Sequence, residues 1–297
     1  MRRDIEFCTE DGVMLRGWFY PAQGVKGRAP TIVMAHGFSA IKEMYLDDFA
    51  AFFAESGIAV LVYDHRNLGA SDGEPRGHID PWAQINGYRD ALSHAQTLPE
   101  VEPSRIGIWG SSYSGGHVLV VGALDRRVKC VVAQVPLVGG LETARRLIRG
   151  DHWKATRDAF VQDRMARMRG AAPARAPVVA PEGEPSALPT ADSYEFFTSF
   201  TKERDAVWEN SVTLQSVELF TEYEPGIYVP RISPTPLLMV AAREDHLTPF
   251  DMTAAAYETA LEPKKFLALP CGHFQAYTGD MFKLSAPVQR DWYKAHL

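Results

Sequence analysis

Short apolar runs bounded by turn residues alternate with longer amphipathic stretches along most of this chain, and few architectures accept that alternation. Each apolar run is too short for a helix and rich in β-branched residues, and each is followed by a segment of helical period. This is the signature of βα units wound around a mainly parallel sheet. Eight strands are predicted. The first two, Ile5 to Thr9 and Leu15 to Tyr20, flank Asp11-Gly12, a turn pair that favours an antiparallel hairpin. The next six, Thr31 to Ala35, Ala59 to Tyr63, Arg105 to Trp109, Val128 to Val135, Pro236 to Ala241 and Lys264 to Leu269, read as near-continuous apolar segments, the pattern of strands covered on both faces. Helices are predicted over Tyr45 to Ser56, Trp82 to Thr97, Tyr113 to Leu124, Phe250 to Leu261 and at the C-terminus.

The alternation stops after Val135 and resumes at Pro236, so residues 137–234 are read as an inserted, mainly helical cap, with residues 1–136 and 235–297 forming the core. Within the insertion, Leu141 to Arg169 is predicted helical. Gly170 to Pro189 is rich in Ala and Pro and is expected to be an irregular connector, and Ser193 to Tyr223 returns to helical spacing. There Phe196, Phe197, Phe200, Val207 and Trp208 are expected to pack downward, as cap core before substrate contact.

One segment joins this architecture to chemistry. Arg105 to Trp109 is followed by Gly110-Ser111-Ser112-Tyr113-Ser114-Gly115-Gly116, a strand turning sharply into a helix with small residues around a serine, the form of a nucleophile elbow. The turn crowds the neighbouring backbone, and the free N–H groups of the helix start can face a developing oxyanion. The spacing departs from strict Gly-x-Ser-x-Gly, because position +2 from Ser112 is Ser114. Ser114 has its own claim, with Gly116 at +2. Ser112 is preferred, since it lies three residues past the strand end with Gly110 relieving crowding at −2.

A serine hydroxyl needs a base to take its proton and a carboxylate to hold that base in the correct tautomer, in the chain order Ser, acid, His. Asp245 follows the seventh predicted strand and His273 the eighth, both at strand C-termini, the edge where open α/β sheets build sites. Glu244 competes with Asp245, and His246 is set aside because it precedes the expected base position. His36-Gly37-Phe38-Ser39 follows the third strand; the backbone N–H of Phe38, with that of Tyr113, is expected to bind the oxygen of a tetrahedral intermediate, and His36 is read as a structural hydrogen-bonding residue. Asp64 to Asp72 is read as a structural loop, not a metal site. No cofactor and no metal is expected.

These residues together resemble the α/β-hydrolase superfamily over nearly the whole chain. His36 to Met44, Asp64 to Pro75, Asp80-Pro81-Trp82 and Gly110 to Gly116 are similar to the branch holding polyketide acyltransferases, thiohydrolases and dienelactone-hydrolase-like proteins. The resemblance implies an α/β-hydrolase fold and a serine hydrolase that cleaves an ester or thioester through an acyl-enzyme, or an acyltransferase that releases a chain from a carrier. A non-catalytic binding homologue is the third reading, and an intact triad argues against it. The elbow is also similar to that of X-prolyl dipeptidyl peptidases, but these carry an additional C-terminal β-domain and this chain ends soon after His273, so a peptidase is not expected.

Small-molecule esters or thioesters are the expected partners. Phe38, Tyr113, Trp153 and Phe274 are expected to favour an apolar or aromatic acyl group. Arg145 to Arg175 holds nine Lys and Arg against Asp151, Asp158 and Asp163, a face that an acyl carrier protein or its phosphopantetheine arm could use, or simply a solvated basic helix with ion pairs. The net charge of −6, from 31 basic and 37 acidic side chains, argues against nucleic acid. No apolar run is long enough for a bilayer. Acids interrupt the segment after Arg2 and Arg3 where a secretory signal would be apolar, and the three cysteines form no paired framework, so a cytoplasmic location is expected. Oligomeric state leaves no mark on the sequence.

Overall fold

The computed structural model describes residues 2–204 and 206–297. In chain order its elements are β1 (Arg3–Cys8), β2 (Met14–Tyr20), β3 (Ala29–Ala35), α1 (Leu46–Glu55), β4 (Ala59–Tyr63), α2 (Pro81–Thr97), β5 (Val101–Ser111), α3 (Tyr113–Leu124), β6 (Val128–Gln134), α4 (Gly140–Leu147), α5 (Trp153–Met168), β7 (Arg175–Ala176), α6 (Ala191–Glu203), β8 (Val212–Thr213), α7 (Leu214–Glu222), β9 (Leu237–Ala242), α8 (Phe250–Glu258), β10 (Lys264–Leu269) and α9 (Gly279–His296).

Eight strands form one sheet in the order β1-β2-β4-β3-β5-β6-β9-β10. β2 runs antiparallel to both β1 and β4, and the remaining neighbours are parallel. Side chains alternate across the sheet as strand geometry requires. Val33, Leu61, Ile108, Val131 and Met239 pack on the face that holds α2 and α3. Ile32, Val60, Trp109, Val132 and Leu238 point to the other face, against Phe49 and Phe53 of α1 and Tyr293 of α9. Both faces are covered, which is why every residue of β4 and β9 is buried and why those strands lack polar alternation.

α3 is buried almost end to end. An amphipathic stripe would be wasted on a helix seated between the sheet, α2 and the Pro225–Arg231 turn, and its sequence is apolar all round.

The chain between β6 and β9 differs from its sequence pattern in three places. The single helix expected over Leu141 to Arg169 is two, α4 and α5, because Ile148 turns extended (ψ 124°) and Arg149-Gly150-Asp151 follows. The expected connector carries β7, which pairs with β8 in a two-residue antiparallel ladder too short to leave a period in the sequence. Helical spacing over Ser193 to Tyr223 hides a break between α6 and α7, and Val207 within it is 95% exposed instead of packed downward. Phe197 and Phe200 do enter the core, and the Trp208 indole donates to the Ser39 carbonyl at 2.7 Å, tying this segment to the loop after β3. In the first half, β5 begins at Val101, four residues before the predicted start, because Pro103 masks the early strand and the ladder shifts register there. Among the described residues no helix is long and apolar enough to cross a membrane.

Candidate active site

β5 delivers Ser112 at its C-terminal end, in a conformation (φ 58°, ψ −117°) that an L-residue adopts only under constraint. The constraint is local crowding. A Cβ at Gly110 would lie 2.1 Å from the Ser114 carbonyl oxygen, so only glycine lets the strand pass under the first turn of α3. Ser112 is left partly exposed while Ser111 and Ser114 are buried.

The three candidate serines have separate partners. Ser112 Oγ lies 3.1 Å from His273 Nε2. Ser111 Oγ donates to the Tyr277 hydroxyl at 2.5 Å. Ser114 Oγ donates to the His36 carbonyl at 2.5 Å and lies 2.8 Å from His65 Nε2, away from His273. His273, just after β10, sets its Nδ1 2.7 Å from Asp245 Oδ2. Asp245, after β9, is buried, and its Oδ1 accepts the backbone N–H groups of Leu247 and Thr248 at 2.8 Å each. Glu244 donates its own N–H to the Cys271 carbonyl and stays exposed, and His246 points into an outer cleft beside Arg243 and Phe250. The geometry therefore gathers Ser112, His273 and Asp245 and leaves both neighbours of Asp245 outside.

Thr248 is a member that the sequence reading passed over. Its Oγ1 lies 2.9 Å from Asp245 Oδ2, 3.0 Å from the Val135 carbonyl and 3.3 Å from His273 Nδ1. The pattern Asp245-His246-Leu247-Thr248, a carboxylate accepting N–H groups two and three residues on, is a side-chain turn that could have pointed to it.

Gly37 lies against the elbow: a Cβ there would be 2.9 Å from Ser112 Cβ and 3.3 Å from its Oγ. The next N–H, that of Phe38, has no protein acceptor among the described residues. Tyr113 begins α3, so its N–H has no acceptor within the helix. One such donor belongs to the Ser112–Tyr113 peptide and the other to the Gly37–Phe38 peptide, whose Gly37 lies against Ser112.

His36 is wholly buried. Its Nε2 accepts the His65 N–H at 3.1 Å, which leaves the proton on Nδ1, donated to the Gly37 carbonyl at 3.0 Å. Burial holds its pKa below the ordinary value. An Nε2 that accepts a hydrogen bond cannot also donate to Asp64, 3.7 Å away, so this contact is not an ion pair. Asp64 instead accepts from Lys42 Nζ at 2.7 Å and from the N–H groups of Lys42 and Ala70, which organises the loop after β4. Among the described residues no group of three His, Cys, Asp or Glu side chains converges as metal ligands.

Ser112 opens on a narrow, tightly closed pocket lined by Met44, Leu46, Phe196, Phe197, Phe274 and Tyr277. A second, smaller lobe also reaches Ser112, lined by Tyr113, Leu137, Leu147 and Phe220. Phe38, Leu188 and Leu247 separate the lobes and touch both. Among the described residues, His36, His273 and tyrosines are the only ionisable groups that line either lobe. Trp153, expected at the site, lines neither: it opens α5, outside both lobes. In the basic segment six of the nine cations pair with carboxylates among the described residues, including Arg146 with Asp251, Arg164 with Glu218 and Arg167 with Asp163, so much of its excess charge is neutralised locally.

The chain matches the alpha/beta hydrolase family over residues 32–281. It is 34% identical to a thiohydrolase of Eupenicillium brefeldianum, over 97% of this chain and 92% of that one. It is 33% identical to the polyketide transferase ATR5 of Stachybotrys chlorohalonatus, over 94% and 92%. The crystal structure of the alpha/beta hydrolase GrgF from Penicillium sp. sh18 superposes with a TM-score of 0.85 at 31% identity, covering 100% of this chain and 99% of that one.

Proposed function

This chain belongs to the alpha/beta hydrolase family, and from that premise we propose that it is a serine-dependent acyl hydrolase, acting on a carboxylic ester or thioester whose acyl group is apolar. The observation that carries the proposal is the continuous path from Ser112 Oγ through His273 to Asp245, opening on a cavity without a fixed charge. In the reaction Ser112 Oγ bonds to the substrate carbonyl carbon while its proton passes to His273 Nε2. The carbonyl oxygen becomes an oxyanion facing the Phe38 and Tyr113 N–H groups. Asp245 accepts the Nδ1–H of His273 and stabilises the imidazolium. His273 then protonates the departing alkoxide or thiolate, and a second nucleophile repeats the sequence to free the acyl group.

When that nucleophile is water the protein is an esterase or thiohydrolase; when it is an alcohol or amine it is an acyltransferase. The apolar lobes favour a dry site, which slows hydrolysis relative to transfer, and one of the relatives is named a thiohydrolase and another a polyketide transferase. We read residues 137–234 as the lid over this site, since Leu147, Leu188, Phe196, Phe197 and Phe220 all come from that stretch. An acyl carrier docked on the basic α4–α5 face is a secondary proposal, resting on Arg145, Arg157 and Arg169, which have no carboxylate partner among the described residues. A cytoplasmic location is proposed in keeping with three free cysteines.

The test is hydrolysis of p-nitrophenyl esters from acetate to dodecanoate, and of an acyl thioester, by wild type and Ser112→Ala, with fluorophosphonate labelling alongside. Loss of activity and of label in Ser112→Ala is expected. Undiminished activity in that variant would remove Ser112 from the mechanism, and an added alcohol that diverts product from acid to ester would favour transfer.

A further inference from the structure

The position two residues after Ser112 holds Ser114 where the motif of this fold has glycine, and Ser114 is wholly buried. Its hydrogen bonds have a definite direction. The His36 carbonyl can only accept, so the Ser114 hydroxyl proton is spent on it. His65 Nε2, at 2.8 Å, must then be the donor to Ser114 Oγ. His65 is therefore the Nε2–H tautomer, and its Nδ1 lone pair is buried with no partner among the described residues. The His65 backbone N–H closes the circuit on His36 Nε2.

This circuit grips the oxyanion loop on both sides of Gly37. Ser114 holds the His36 carbonyl, and the His36 ring holds the Gly37 carbonyl, the other end of the peptide whose N–H belongs to Phe38. Gly37 has no side chain of its own with which to anchor, because a Cβ would strike Ser112. We propose that Ser114, oriented by His65, is a positioning residue for catalysis: it fixes the peptide planes that aim the Phe38 N–H at the developing oxyanion. This rests on the reading of Phe38 and Tyr113 as the oxyanion donors and of Ser112 as nucleophile. A bond chain from imidazole to hydroxyl to carbonyl, in a site screened from water, polarises along its length and resists reorientation during the reaction.

The experiment compares Ser114→Ala, Ser114→Thr, His65→Gln and His65→Leu with wild type in ester hydrolysis and in inhibition by an alkyl trifluoromethyl ketone. Such a ketone takes Ser112 Oγ at its carbonyl carbon and leaves an oxyanion, so its affinity reports the hole directly. Ser114→Ala is expected to lower kcat about 10- to 100-fold, with KM within about twofold and the ketone's Ki raised in proportion to the fall in kcat/KM. Ser114→Thr, which keeps the hydroxyl, and His65→Gln, whose amide can donate in place of Nε2–H, are expected to stay within about fivefold of wild type, while His65→Leu follows Ser114→Ala. A fall in kcat with an unchanged Ki, a rise in KM alone, or equal losses in the conservative and the non-conservative variants would overturn the proposal. Should Ser114→Ala not fold, the His65 pair decides by the same criteria. Failure of wild type to react with a fluorophosphonate would instead sink the Ser112 reading, a result separate from any difference among these variants.

Discussion

His117 gives the most direct test of the buried polar layer beneath the elbow. It is wholly buried on α3, with Nε2 2.8 Å from Gln84 Oε1 and Nδ1 3.0 Å from the Tyr223 hydroxyl. Gln84 Oε1 can only accept, so Nε2 carries a proton, and burial keeps Nδ1 unprotonated, accepting from the Tyr223 hydroxyl. Burial, with a smaller contribution from His36, depresses its pKa from 6.5 to about 3. The unfolded chain therefore binds a proton near pH 6.5 that the native state refuses until about pH 3, and stability falls as pH drops through this window. At about pH 5 the unfolded state is favoured by roughly 1.5 pH units of protonation, or about 2 kcal/mol at about 1.4 kcal/mol per unit, and at about pH 8 by nothing. His117→Gln can keep both hydrogen bonds and does not titrate. In urea denaturation at the two pH values the loss of unfolding free energy on acidification is expected to be smaller in His117→Gln than in wild type by about 2 kcal/mol, at equal m. Groups common to both proteins, including His36 and His65, whose pKa values are also lowered by burial, largely cancel in this comparison. Equal acid sensitivity in the two proteins would refute the assignment of a neutral, proton-refusing His117.

Lys42→Met strands the buried Asp64 carboxylate without its ammonium partner at 2.7 Å and is expected to cost about 3–5 kcal/mol in urea denaturation; a loss below about 1 kcal/mol would contradict the role given to that pair. Cys8 is exposed, whereas Cys130 and Cys271 are buried, and burial, together with Asp245 and Glu244, pushes the Cys271 thiol up to about 11. Brief maleimide treatment near neutral pH is expected to add a single adduct, at Cys8, to the native protein and to reach all three cysteines only in denaturant, as read by mass spectrometry; early modification of Cys271 would show that the segment before His273 opens readily. Phe220 packs on Tyr113 and Phe38 with ring centroids 5.7 and 5.8 Å apart and lines the smaller lobe. Phe220→Ala is expected to raise kcat/KM for bulky esters relative to acetate by about tenfold, and an unchanged chain-length profile would remove that lobe from substrate binding.

Most of the fold was legible because it rests on local burial. Strands covered on both faces have apolar runs, surface helices have a period, and Asp11-Gly12 makes a hairpin wherever two strands flank it. Where the chain is shaped by contacts and not by period, the pattern misled. The break between α4 and α5, the β7–β8 ladder and the exposed Val207 all belong to the stretch between β6 and β9, whose elements pack on the site and on one another in small pieces.

The same division runs through the site. The sequence by itself put Ser112 ahead of Ser114 as candidate nucleophile, Asp245 ahead of Glu244 as acid, and His273 after the last strand as base, because strand ends and turn residues are local features. Only the tertiary structure decided which atoms meet: Ser112 and His273 stand 161 residues apart in the chain and 3.1 Å apart in space. It also gave Ser114 to the His36 carbonyl, brought Thr248 to Asp245, and left Glu244 and His246 outside. Periodicity records which face of an element is buried, whereas the direction of a single hydroxyl is set by neighbours that fold in from distant parts of the chain.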